Sequence, residues 1–245
     1  FASYSMKIIE ENPLKIYPTK QTIDKKLGLP SPFDDRNQVI VVSGGQGTGK
    51  TTWLHSALTC RKQDGRIFSG RFEKVFYATP EECFTSEADH CMKNHVKSRL
   101  FHTFDEEMLN SVVEQALENK HENGGNSILC IDDFSEEYKN PQTIRLLRKI
   151  INKHRHYHLT ILCSALTMKS IPKPIRSLID MYILFKPKGL IELEDYTTEI
   201  FALSKNEMNS LLDFVFDAPH NFLMYNNRRN EFYKNFNLIS KPSQS

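Results

Sequence analysis

VVSGGQGTGKTTW, Val41–Trp53, is the stretch that decides the fold. An apolar, β-branched run passes directly into glycines, then into Lys50, Thr51 and Thr52. The spacing Gly44-x-x-x-x-Gly49-Lys50-Thr51 is that of a P-loop. Glycines let the backbone wrap so that successive N–H groups face phosphate oxygens, and the helix that follows adds its positive N-terminal end. The pattern makes Gly44, Gly45, Gln46, Gly47, Thr48, Gly49, Lys50, Thr51 and Thr52 the expected nucleotide-binding residues. Lys50 is expected on the β- and γ-phosphates and the Thr51 hydroxyl on a metal ion, with ATP and Mg²⁺ as cofactors.

Working outward, QVIVVS (38–43) reads as a strand buried on both faces, and a helix follows over about 49–60. KVFYATP, SRLFHTF, ILCIDDF, LTILCSAL and DMYILFK read as further strands. Between them, Met108, Leu109, Val112, Val113, Ala116 and Leu117 form a helical stripe with Asp105 as its N-cap. Asn140-Pro141 opens a second helix, a cap followed by proline at the first helical position. Strands alternating with helices predict an α/β fold, a mainly parallel sheet covered on both faces. The tail NFLMYN…EFYKNF predicts a C-terminal β-hairpin from about residue 220. Residues 1–35, with four prolines among charges, read as an extended arm holding one short strand near LKIYPT. Residues 36–245 are then the P-loop domain.

A P-loop works with an acidic group at the end of a neighbouring strand. ILCIDD supplies it: Asp132 is the expected metal ligand, and Asp133 stands where a carboxylate orients the attacking water. Glutamate is the usual residue at that second position, so Glu136 is a substitute candidate. Ser164 and Thr167, at the end of LTILCSAL, are candidate sensors of the γ-phosphate, against the plainer reading of strand-end hydroxyls. Pro172 and Pro174 stiffen a loop that presents Arg176, a candidate arginine finger for a neighbouring subunit; a surface ion pair accounts for it equally well. Arg145, Arg148, Lys149, Lys153, His154, Arg155 and His156 follow one helix, and a solvated face is the simplest account of them. Cys83, His90, Cys91 and His95 match no zinc spacing.

Composition narrows the class. Lysine plus arginine number 32 against 30 acids, which excludes a uniformly basic nucleic-acid coat and leaves only a local patch. The five cysteines form no Cys-x-x-Cys pair, and two lie within apolar runs; a reducing compartment suits them. No apolar run approaches the length of a membrane span and no secretory signal is visible, so neither membrane nor secretion is expected.

The order P-loop, two-aspartate strand, then a strand followed by IPKPIR and another apolar strand resembles the genome-packaging ATPases of large DNA viruses and virophages. That family includes the poxvirus packaging protein and belongs to the FtsK–HerA superfamily. KVFYATP is similar to the family's second strand and the tail to its hairpin, over roughly residues 36–238. The resemblance implies a RecA-like core assembled into a ring, a hexamer, that threads double-stranded DNA into a preformed capsid. It implies capsid portal or vertex proteins as partners, and a place in the host cytoplasm or viral factory and with the virion. It carries the P-loop roles to Lys50 and Thr51, the metal and water roles to Asp132 and Asp133, and the trans-acting finger to Arg176. Relatives tend to have a glutamine near the end of the sensor strand; this chain has CSALTM. Two other readings stand beside it: a P-loop kinase of a nucleotide or small metabolite, and a slow nucleotide-dependent switch.

Overall fold

The computed structural model describes residues 26–86, 90–134, 138, 140–187, 189, 200–201 and 203–239. The elements run β1 (Val39–Ser43), α1 (Lys50–Thr59), β2 (Lys74–Ala78), α2 (Glu81–Ser86), β3 (Leu100–Phe101), α3 (Glu106–Asn123), β4 (Ser127–Ile131) and α4 (Pro141–Lys153). They continue with β5 (Leu159–Ala165), the single turn α5 (Lys173–Arg176), β6 (Met181–Phe185), α6 (Lys205–Val215), β7 (Phe222–Asn226), β8 (Glu231–Lys234) and β9 (Asn237–Ile239).

The nine strands form one sheet in the order β3-β2-β4-β5-β1-β6-β7-β8-β9. The first six are parallel; β6 to β9 pair antiparallel. Side chains alternate between two cores. Val39 and Val41 face a core shared with Leu109 of α3, Leu147 of α4, Ile175 of α5 and Leu211 of α6. Ile40 and Val42 face the other, with Trp53, Leu54, Ala57 and Leu58 of α1. Burial on both faces is why the central strands are mostly apolar, each buried aliphatic side chain contributing roughly 1.5–3 kcal/mol. The fold is the expected one: a mainly parallel sheet with helices on both faces and antiparallel strands at the C-terminal end.

The expected caps form. Asp105 accepts from the Met108 amide at 2.8 Å, and Asn140 accepts from Gln142 and Thr143 at 3.0 and 3.3 Å. Three details differ from the sequence reading. The strand expected at SRLFHTF shrinks to two residues, at the sheet edge, where one side lacks a partner strand. The tail hairpin gains a third strand, β9, hydrogen-bonded to β8. Helix α6 was not anticipated, although Ser204 and Glu207 close a full capping box at its start. Residues 26–35 carry no helix or strand, and Leu27, Leu29 and Phe33 join the core beneath α1. The strand expected near LKIYPT lies outside the described residues, as does Glu136. Among the described residues no helix is long and apolar enough to cross a membrane.

Candidate functional site

Where β1 ends at Ser43, the loop Gly44–Gly49 turns over the strand ends. The Gly44 amide donates to the Ala165 carbonyl at 3.2 Å, fixing the base of the loop to β5. The Thr48 hydroxyl donates to Gly45 O at 2.8 Å. Gly47 and Gly49 sit at φ +75° and +108°, left-handed conformations open to glycine, and Gly49 caps α1. Gly44 is required for a different reason: a Cβ there would lie 2.7 Å from Phe185 Cβ and 2.8 Å from Thr48 Oγ1. No side chain caps α1, and no acidic residue sits in its first turn, so its N-terminal amides and positive end point at whatever the loop holds. Lys50 Nζ donates to Gly44 O at 2.7 Å and Gly45 O at 3.2 Å, bending its ammonium back over the loop.

A cavity of about 620 Å³ opens beside the loop, within the range of small-molecule sites. Gly47, Gly49, Lys50, Thr51 and Thr52 line its polar end, and Trp53, Ser56, Phe185, His220 and Phe222 line the rest. The aromatic wall was missed in the sequence, where Phe185 and Phe222 read only as strand residues. Strand register would have found Phe185, since Ser43 pairs with Leu184 and so sets Phe185 beside Gly44. His220 adopts φ +62° and brings Nδ1 to 3.3 Å from the Thr48 carbonyl.

Strand β5 lies between β1 and β4, so the loop and the two aspartates share one end of the sheet. Asp132 is 3% exposed. Its Oδ2 accepts the Tyr77 hydroxyl at 3.1 Å; its Oδ1 is buried with no hydrogen-bond partner among the described residues. A buried carboxylate oxygen without a donor is costly, and a cation is the ligand that would satisfy it. Tyr77 is fully buried, and burial, then the nearby Cys130 and Asp132, raise its phenol far above the ordinary value, so it stays protonated. Asp133 is exposed, at φ +61°. Its amide donates to Ser164 Oγ at 3.0 Å, and its carboxylate accepts the Cys83 thiol at 3.3 Å. Burial, then the bond to Asp133, push that thiol up to about 11. Thr167 follows the end of β5, and its carbonyl accepts from the Ser170 amide and hydroxyl at 3.2 and 2.6 Å.

Arg176 closes α5 on the face covered by α4 and α6. Its Nε donates to Ile171 O at 2.8 Å, and its carbonyl accepts the Tyr182 hydroxyl at 2.7 Å. It lines a separate cavity with Lys173, Ser177, Tyr182, Ile200 and Asn227, which shares no residue with the cavity at the loop. On α4 the exposed basic residues are Arg145, Arg148, Lys149 and Lys153, with no acid in the helix. His154 leaves that face: it is buried, with its ring nitrogens at 2.6 Å from Ile151 O and 3.3 Å from Asn37 O.

Cys83 faces Asp133, and His95 bonds the Val75 carbonyl at 2.7 Å, so the four residues noted in that segment do not converge. Among the described residues His55, His90 and Cys91 bring one ligand atom each within 4.8 Å. His90 Nδ1, however, accepts the Met92 amide at 3.1 Å, which puts the ring proton of neutral His90 on Nε2. That tautomer donates and does not ligate.

A glycine-rich loop between strand and helix, a lysine at its end and a buried aspartate one strand beyond its neighbour define a P-loop nucleotide-binding domain of the nucleotide-hydrolysing class. The chain belongs to the AAA domain family, whose model matches residues 34–163, more than half its length. None of the curated proteins matches it. Solved structures do. The genome packaging NTPase B204 of Sulfolobus turreted icosahedral virus 2, in complex with AMPPCP, is 12% identical with a TM-score of 0.55, covering 82% of this chain and 98% of that one. Its sulfate complex gives 13% and 0.59, over 83% and 98%. EssC (ATPases 2 and 3) from Geobacillus thermodenitrificans gives 13% and 0.51, over 85% of this chain and 41% of that one. At these identities the likeness establishes the fold.

Proposed function

We propose that this chain is an ATP-driven motor that moves double-stranded DNA into a viral capsid. The observation that carries the reading is the arrangement of loop, Ser164 strand and aspartate strand in a chain whose fold matches a packaging NTPase over 98% of that protein's length. The P-loop amides and Lys50 hold the triphosphate, and Lys50 meets the charge that develops as the γ-phosphoryl group transfers. Thr51 and Asp132 would hold Mg²⁺; the unpartnered Oδ1 of Asp132 fits that role. When bound, the ion offsets negative charge on the phosphate oxygens. Asp133 orients the attacking water once its carboxylate leaves the Cys83 thiol, with Glu136 the substitute for that task. Ser164 reports on the γ-phosphate through the Asp133 backbone it holds. Arg176 lines no part of its own chain's nucleotide cavity, which favours action on a neighbour in a ring, taken as a hexamer.

Such a machine works on capsid portal or vertex proteins in the host cytoplasm or viral factory. It must accept any DNA sequence, so its contacts go to the phosphate backbone. A net charge of +2 means that these contacts are local, concentrated where subunits combine their basic residues. The test is phosphate release by assembled protein with and without random duplex DNA. Release should rise with DNA of any sequence and fall as salt goes from about 50 to 200 mM. A flat response to DNA, with turnover only on adding a nucleoside or metabolite, would establish the kinase reading instead.

A further inference from the structure

Asp132 is not held by the loop it serves. Its Oδ2 accepts from Tyr77, whose oxygen in turn lies 3.0 Å from His55 Nε2. The direction of each bond follows from chemistry. An ionised carboxylate only accepts, so the single phenolic proton goes to Asp132, and His55 must donate its Nε2–H to the phenol oxygen. His55 stands on α1 four residues after Thr51, and residues at that spacing share a helix face. The aromatic packing fixes both rings: His90 sits edge-on to His55, centroids 4.6 Å apart, and edge-on to Tyr77 at 5.3 Å. The chain therefore begins on the P-loop helix, crosses β2 and ends on the oxygen that pins Asp132, leaving Oδ1 as the oxygen without a partner among the described residues.

We infer that Tyr77 and His55 are positioning residues that lock the Asp132 carboxylate to the P-loop helix, so that Oδ1 is presented to the nucleotide's divalent cation. The inference rests on the ATPase reading above. Partners behind a metal ligand set its orientation, and losing one typically costs about 10–100-fold in metal affinity. Tyr77→Phe removes the hydroxyl and keeps the ring that fills the core. His55→Gln keeps an N–H donor on α1; His55→Leu removes it.

The experiment uses the full chain with a non-hydrolysable ATP analogue and Mn²⁺ as the probe, free Mn²⁺ being read by electron paramagnetic resonance. Analogue binding without metal and thermal stability are measured alongside. Wild type should take up nucleotide-dependent Mn²⁺. Tyr77→Phe and His55→Leu should bind it about 10–100-fold more weakly, with metal-free analogue affinity unchanged and the transition still cooperative. His55→Gln should recover most of the loss. Unchanged Mn²⁺ affinity in Tyr77→Phe beside a competent wild type overturns the inference and leaves the ATPase reading intact. Equal losses of metal-free analogue affinity and stability would make the chain a packing feature, and overturn it too. If wild type itself takes up no nucleotide-dependent Mn²⁺, the ATPase reading fails and the inference falls with it.

Discussion

The amide of Asp133 donates to the hydroxyl of Ser164 across 3.0 Å, tying the end of β4 to the end of β5. Asp133 holds a left-handed backbone, at φ +61°, that few residues other than glycine, asparagine and aspartate adopt. Ser164→Ala removes the acceptor and leaves that conformation unsupported. Stability should fall by about 1 kcal/mol, read from the denaturant midpoint. ATP affinity should persist while turnover drops.

Lys50→Ala should abolish hydrolysis and leave the fold intact, because its ammonium bonds the carbonyls of Gly44 and Gly45 within the loop and its side chain belongs to neither core. Steady-state phosphate release and circular dichroism check the two halves. Wild-type turnover in a well-folded Lys50→Ala protein would rule out the motor.

The two aspartates should separate. Asp132→Asn weakens metal-dependent binding and turnover together. Asp133→Asn keeps ATP binding and loses turnover by on the order of 10²–10⁴-fold. Asparagine tolerates the left-handed backbone, so that variant is conformationally clean. If Glu136→Gln shows the second phenotype and Asp133→Asn does not, the water-orienting role passes to Glu136.

Arg176→Ala should bind ATP and fail to turn it over, by on the order of 10³-fold or more. Mixed with Lys50→Ala protein it should regain part of the activity, since one subunit then offers a sound loop and the next a sound arginine. Verified mixed rings that stay inactive would exclude action in trans.

His90 sets a pH dependence. Burial, then the neighbouring His55, lower its imidazole from an ordinary 6.5 to about 4. Between those values the unfolded chain binds the proton and the folded chain does not, so stability rises with pH through that window and is lost as pH falls. Melting temperatures of wild type and His90→Gln from pH 4 to 7 should converge toward the acid end. Parallel curves would show that His90 does not titrate this way.

The sheet was legible because its strands are buried on both faces, and β1, β4, β5 and β6 therefore read as largely apolar runs. Both expected caps, Asp105 and Asn140, formed for local reasons that sequence alone displays. Helix α6 escaped notice because its signal is the Ser204–Glu207 pair and three buried residues, Met208, Leu211 and Val215, a thin stripe. β9 has two of its three residues exposed and no apolar pattern to read. Within the site, Lys50, Thr51 and Asp132 follow from motif spacing. Tyr77, Phe185 and His220 reach it only by sheet register and chain reversal, which no local window encodes.

The close approach of Gly44 to Phe185 bears on how such a chain can diverge. The nearer of the two obstructing atoms is the Cβ of Phe185, present in every residue but glycine, so trimming the ring opens no room at position 44. The first residue of the loop is thus barred from change by the path of a strand encoded far downstream. The ring of Phe185, beyond that Cβ, packs on Phe222 and lines the cavity, so what may replace it is decided by that wall and not by Gly44. Position 44 would then admit glycine alone while position 185 admits any side chain that fills that wall, and a saturation library at both would display the contrast.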